Sequence, residues 1–195
     1  MSCRLRKPTL AVVAVLAALA VSGCGDSHTK VTTGTYAGES GKNAPYLNVG
    51  PLIYQVQLSR QLNPANTEDA AYLGGLTPEQ RKLEVGQEWF AVFMQVYNQT
   101  SDAQPASNDI TITDTQSNSY TPLVPDESNV FAFRGGTVPA NGQLPMPGTP
   151  ADNDPAQGGV LLYKIQIVSL DNRPLTLKIV DPTNPAETAS AELDV

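Results

Sequence analysis

Few residues of this 195-residue chain could do acid, base or metal chemistry: one histidine, two cysteines and 19 carboxylates. His28 sits four positions after Cys24 in a Gly/Ser/Thr/Lys-rich stretch, so it reads as part of a tether. A Ser-His-Asp triad or a His general base needs that imidazole beside its partners, and zinc needs His or Cys ligands. Neither is expected in the folded part. Ser27-x-x-Lys30 has the spacing of an acylating serine and its lysine base. That chemistry needs a buried helix start and a desolvated lysine, and a polar tether supplies neither. Gly38-Glu39-Ser40-Gly41-Lys42 imitates the end of a phosphate-binding loop, but the full pattern fails at Tyr36 and Asn43. Asp152-Asn153-Asp154 offers three oxygen side chains where calcium takes six to eight ligands, so it reads as a solvated turn. Glu68-Asp69, Glu79, Glu84, Glu88 and Asp126-Glu127 are scattered, whereas glycoside hydrolysis needs two carboxylates facing each other. The expectation is a non-enzyme with no metal and no cofactor, and a carboxylate-dependent hydrolase is the least favoured alternative.

Cys24 is the one residue with a clear chemical address. Arg4, Arg6 and Lys7 form a positive start, and Leu10 to Val21 is an apolar run of 12 residues. A membrane span needs about 20 residues, so the run suits the apolar helix of an export signal. Val21-Ser22-Gly23-Cys24 follows. It resembles the lipobox of bacterial lipoproteins, which implies diacylglyceryl and palmitate attachment at Cys24 and cleavage just before it. The bland alternative is a plain secretory signal with Cys24 incidental. Two acyl chains hold a protein on a bilayer where one holds marginally. Residues 1–23 are thus expected to be a signal peptide and 24–45 a lipidated cysteine with a disordered tether. Such a tether has a coil span of roughly 25 Å.

Cleavage removes three basic residues and no acidic one, leaving nine against 19, a net charge of −10. Nucleic-acid binding runs on phosphate neutralisation, so no nucleic acid is expected as partner. Anionic lipid would repel the domain and make it stand off the surface. With Cys3 removed and Cys24 acylated, the folded part has no disulfide and rests on its core.

Residues 46–195 carry period-2 patterns and little helical periodicity. Leu52, Tyr54, Val56 and Leu58 alternate with Ile53, Gln55, Gln57 and Ser59. Glu88 to Asn98 is apolar on both faces and should be a central strand covered on both sides. Ile110–Thr113 and Tyr120–Val124 flank a polar turn as a hairpin, and Asn129 to Phe133 reads as a short strand. Gly159 to Val168 and Pro174 to Val180 are further strands, and Ala189 to Val195 closes the chain. Thr77-Pro78 marks a short helix within the 60–86 excursion, and 134–159 is a Pro/Gly-rich loop. This predicts an all-β fold, an antiparallel immunoglobulin-like β-sandwich of about seven strands.

Gly50-Pro51-Leu52-Ile53-Tyr54, Val85 to Phe90, Tyr97-Asn98-Gln99, Ile112-Thr113-Asp114 and Tyr120 together carry a family likeness. They resemble the telokin-like, immunoglobulin-like domains of unknown function on Gram-positive and actinobacterial lipoproteins. The resemblance covers roughly residues 46–195. It implies the sandwich fold and a non-enzymatic extracellular role, and it transfers no catalytic residue.

Trp89, Phe93 and Tyr97 share the strand face opposite Phe90, Val92, Met94 and Val96. Either the 60–86 excursion or the 134–159 loop covers them, or they form an exposed patch that docks a partner. The functional expectation is a binding or interaction module of the cell envelope, lipid-anchored on the outer face of the cytoplasmic membrane. Its partner would be an envelope protein or a cell-wall component. The alternative is a structural or accessory subunit of a membrane complex.

Overall fold

A computed structural model describes residues 29–32 and 46–193. Cys24 and His28 lie outside the described residues, as do the Gly38–Lys42 pattern and Ser27 of Ser27-x-x-Lys30. The strands are β1 (Thr29–Thr32), β2 (Tyr46–Val49), β3 (Leu52–Leu62), β4 (Gln87–Asn98), β5 (Gln104–Ala106) and β6 (Ile110–Thr113). They continue as β7 (Ser119–Tyr120), β8 (Gly136–Val138), β9 (Gln143–Leu144), β10 (Gly159–Gln166), β11 (Leu175–Val180) and β12 (Thr188–Leu193). Three short helices, α1 (Thr67–Tyr72), α2 (Pro78–Arg81) and α3 (Pro150–Asn153), and a 3₁₀ turn at Ile167–Leu170 complete the fold.

Two sheets face each other. One has the order β1-β12-β11-β6-β7, and the other β10-β4-β3-β2 with β9 added on β4. All pairings are antiparallel except β1 with β12. This is the antiparallel β-sandwich that the alternation implies. Between the sheets, Leu52, Tyr54 and Val56 of β3 and Phe90, Val92, Met94 and Val96 of β4 meet Ile110, Ile112, Leu177 and Ile179.

The segment read as a strand at 129–133 makes one bridge, Ala132 to Val160, and Leu123 bridges Leu162. These two contacts run along the outer edge of β10 without forming a strand. The hairpin pairs only Ile112–Tyr120 and Thr113–Ser119. Pro122 follows, and a proline has no N–H to continue a ladder. The 134–159 loop holds β8, β9 and α3.

Three features depart from the simple alternation. Gln57 is an extra residue: Val56 pairs with Met94 and Leu58 with Phe93, so the register shifts between them. A bulge of this kind reverses the faces beyond it. Leu58 and Leu62 therefore join the outer face rather than the core between the sheets. Second, Thr29–Thr32 lies within the stretch read as tether and yet adds to β12, with Thr29 opposite Thr188. Thr-Lys-Val-Thr is rich in β-branched residues, and the free edge of β12 offers backbone to pair with.

Third, the outer face of β4 and β10 has a core of its own. Leu62, Tyr72, Leu73, Leu76, Trp89, Ala91, Phe93, Val160 and Leu162 pack there as one buried cluster. The cover comes from the 60–86 excursion and from segments 123–133 and 154–156. Asn66 caps α1 by accepting from the N–H groups of Glu68 (2.8 Å) and Asp69 (3.4 Å). Thr77 and Gln80 form a reciprocal capping box at α2, with Pro78 in its first turn.

Candidate functional site

Trp89 is 3% exposed and Phe93 fully buried. The reading of Trp89, Phe93 and Tyr97 as an exposed docking face is therefore corrected: the excursion covers the first two. Tyr72 of α1 stands edge-on to Phe93 (5.0 Å between ring centroids, 74°) and to Phe131 (5.3 Å, 84°). The Arg60 guanidinium lies 5.8 Å from the Phe93 ring and 5.9 Å from that of Tyr72. Lys164 sits 5.6 Å over Trp89 and donates to the Lys82 carbonyl at 2.7 Å, which closes the far end of the cover. Tyr97 is half-buried, and its hydroxyl donates to Gln95.

The carboxylates near this layer serve as fasteners. The Tyr72 hydroxyl donates toward Asp154 (2.8 and 2.9 Å), with Glu68 at 3.2 Å. Burial, then the Asp154 hydrogen bond, pushes this phenol well above its ordinary range. Asp69 accepts from Arg60 at 2.6 Å and from the Asn63 N–H at 2.7 Å. Burial opposes its charge, but these donors outweigh it and hold its carboxyl below the usual range. Asp152 accepts from Gln143 at 3.0 Å and from the Gly148 N–H at 2.9 Å. The Asp152-Asn153-Asp154 triplet is thus split between two anchoring tasks and does not form the solvated turn its composition implies. Among the described residues, no three His, Cys, Asp or Glu side chains are grouped to hold a metal ion.

Three of the residues quoted for that resemblance, Asn98, Asp114 and Tyr120, are pins of the scaffold. The Asn98 amide donates to the carbonyls of Asp102, Val138 and Pro139 and accepts from Thr100. Asp114 collects the N–H groups of Gln116 and Asn118 at 2.9 Å and the Ser169 hydroxyl at 2.7 Å. Tyr120 joins the same network through Ser169 at 2.7 Å.

What the fold leaves open is a groove of about 370 Å³ on one side of the sandwich. It lies between β6 and the edge of β10, in the interval between the Leu123 and Ala132 bridges. Ile110, Leu123, Phe133 and Leu161 make its floor, and Asn108, Asp109, Thr111, Thr121 and Arg134 its polar rim. Val124 stands exposed at its margin. Arg134 donates to the carbonyls of Asp126, Asn129 (2.9 Å) and Ala132 (3.4 Å), so its charge is fixed in the groove wall. Gly135 allows this: its φ is +62°, and a Cβ there would meet Asn108 Oδ1 at 2.3 Å. A smaller hollow of about 190 Å³ adjoins across Phe133 and Arg134 and ends at exposed Met146.

Asp109 is the one carboxylate in the groove lining, with no second acid opposite it. The surface is suited to holding a ligand of mixed character: an apolar body against the floor and hydrogen-bonding groups at the rim. The sequence analysis missed this site because its residues come from turns without periodicity. One signal was present: Arg134 is the sole Lys or Arg between Lys82 and Lys164.

Fold and groove together define a β-sandwich module with a side groove. No protein-family model and no curated protein matches the chain. Among solved structures it is similar to the yjhA protein from Bacillus subtilis (15% identity, 80% of this chain and 99% of that one, TM-score 0.49). It is also similar to a candidate lipoprotein, ycdA, from Bacillus subtilis strain 168 (10% identity, 76% and 38%, TM-score 0.48). A third is an uncharacterised β-sandwich protein from Clostridium difficile 630 (10% identity, 79% and 93%, TM-score 0.43).

Proposed function

We propose that this chain is a lipid-anchored, extracytoplasmic binding module of the cell envelope and not an enzyme. The charged start, the apolar run and Val21-Ser22-Gly23-Cys24 support the anchor. The observation that carries the binding role is the groove beside β6, with its apolar floor and polar rim. It is built from loops on a rigid sandwich, the usual place for recognition. A second reading, an accessory subunit of a membrane complex, draws on a different surface. Val85, Ile167 and Val168 are exposed and adjacent, since the Ile167 N–H donates to the Gly86 carbonyl at 2.8 Å.

In-cell crosslinking with mass spectrometry separates the readings, using wild type, Cys24→Ser and a groove-blocking Val124→Arg. A partner lost in Val124→Arg but kept by Cys24→Ser supports groove recognition. A partner kept by Val124→Arg and lost in Cys24→Ser supports the accessory role. An adduct unaffected by either change, or no adduct at all, overturns both. Metabolic labelling with an alkyne palmitate analogue tests the anchor directly: wild type should label and Cys24→Ser should not.

A further inference from the structure

We propose that the sandwich is held upright on its membrane. In this arrangement the pole at Thr29 faces the bilayer and the pole at Val85 cannot take its place. The inference rests on the anchor at Cys24 and deepens that reading. β1 begins at Thr29, opposite Thr188. Thr188 pairs with Val180, and Asp181 packs against the Gly50 turn, so all of these lie at one end of the sandwich. Val85 lies beside Gln87, which pairs with Gln166 at the other end.

Cys24 precedes Thr29 by five residues, so even a fully extended chain spans at most about 18 Å between them. β4 runs 12 residues between the poles, about 40 Å at strand rise. Turning the Val85 pole to the lipid would lift the Thr29 pole about 40 Å from it, more than twice the leash of about 18 Å. Inversion is therefore excluded by chain length alone. Without β1 the leash would run from Cys24 to Tyr46, 22 residues, which reach about 75 Å fully extended and leave both orientations open. The net charge of −10 left after cleavage is repelled by anionic lipid along the length of the sandwich, which opposes a flat pose and leaves the short leash at the Thr29 pole as the point of approach.

The test uses the lipoprotein made from the full chain and reconstituted in phosphatidylcholine vesicles containing phosphatidylglycerol and a headgroup-linked energy acceptor. Exposed positions Ala186 and Val85 are changed to cysteine in separate proteins and labelled with a donor, Cys24 being occupied by lipid. Strong transfer from position 186 and weak transfer from position 85 is the expected result. Equal transfer, or stronger transfer from 85, overturns the proposal. Lys30→Pro with Val31→Pro removes backbone donors from β1 and should bring the two signals together. An unchanged difference in a variant that still folds by circular dichroism also overturns it. If the proline variant does not fold, the comparison of 186 with 85 decides alone. The mass of the N-terminal peptide separates the two levels: an unmodified Cys24 refutes the anchor itself, whereas a lipidated Cys24 with equal transfer refutes only the orientation.

Discussion

Replacing Phe93 by alanine should cost this protein much of its stability, and the size of the loss follows from the outer core. The ring is fully buried and points away from the space between the sheets. Truncating a buried Phe to Ala typically costs 3–5 kcal/mol, about 4 here, because the cavity adds to lost transfer energy. The edge-on contact with Tyr72 and the Arg60 guanidinium above the ring place Phe93 in the upper half of that range. For a domain of this length about 4 kcal/mol lowers Tm by roughly 8–16 °C. Thermal unfolding by circular dichroism reads this directly. Phe93→Leu should fall between the variants, since it keeps part of the volume. Tyr72→Phe retains both ring contacts but strips the hydroxyl from Asp154, so it should cost about 1–2 kcal/mol. A change below about 0.5 kcal/mol, as for an exposed residue, would refute the reasoning. It would mean that the 60–86 cover is not seated on β4.

Three further outcomes are expected. Burial opposes the charge on Asp114, but donors from Asn118, Ser169 and Gln116 outweigh it and hold the carboxyl at about 2 instead of 3.8. Its contribution to stability is therefore complete above pH 3.8 and lost as pH falls toward 2. Urea midpoints from pH 5 to pH 2 should decline, and Asp114→Asn should flatten that decline. Gly50→Ala would set a Cβ 1.7 Å from Asp181 Oδ2 at a φ of +54°, so denaturant titration should show a loss of about 2–3 kcal/mol. The Tyr163 hydroxyl is buried with no hydrogen-bond partner among the described residues. Tyr163→Phe should thus leave the urea midpoint unchanged or raise it, by up to about 2 kcal/mol, and a clear loss would reveal a partner.

The strands were legible where side-chain period alone decides them. β4 reads as apolar on both faces because both faces do meet a core, and β10 divides into Leu161, Tyr163 and Ile165 inward and Val160 and Leu162 outward. The Thr77-Pro78 helix start was legible because capping is local chemistry. The bulge at Gln57 was not, since Leu58 continues the apolar alternation of Leu52, Tyr54 and Val56 in sequence although the shift in register turns it to the opposite face. The cover over Trp89 and Phe93 was offered as one of two alternatives. Choosing between them needs contacts from Tyr72 and Phe131, both distant in sequence from β4. The groove was invisible for a related reason: β6, the turn before β8 and β10 meet only after folding, and no single segment carries its pattern.

The two bridges along β10 have a consequence for crowding. An uncovered edge strand offers free N–H and C=O groups to any neighbouring chain. Here Leu123 and Phe133 already donate to the Leu162 and Val160 carbonyls, and Val160 donates back to Phe131. At the other margins β7 is two residues long, and β1 and β2 are four each. If Cys24 anchors the chain as proposed, copies on one bilayer would meet side by side at far higher effective concentration than in solution. Along β10 the bridges would leave such neighbours no free run of backbone to zip together, so contact at that edge would keep them separate molecules.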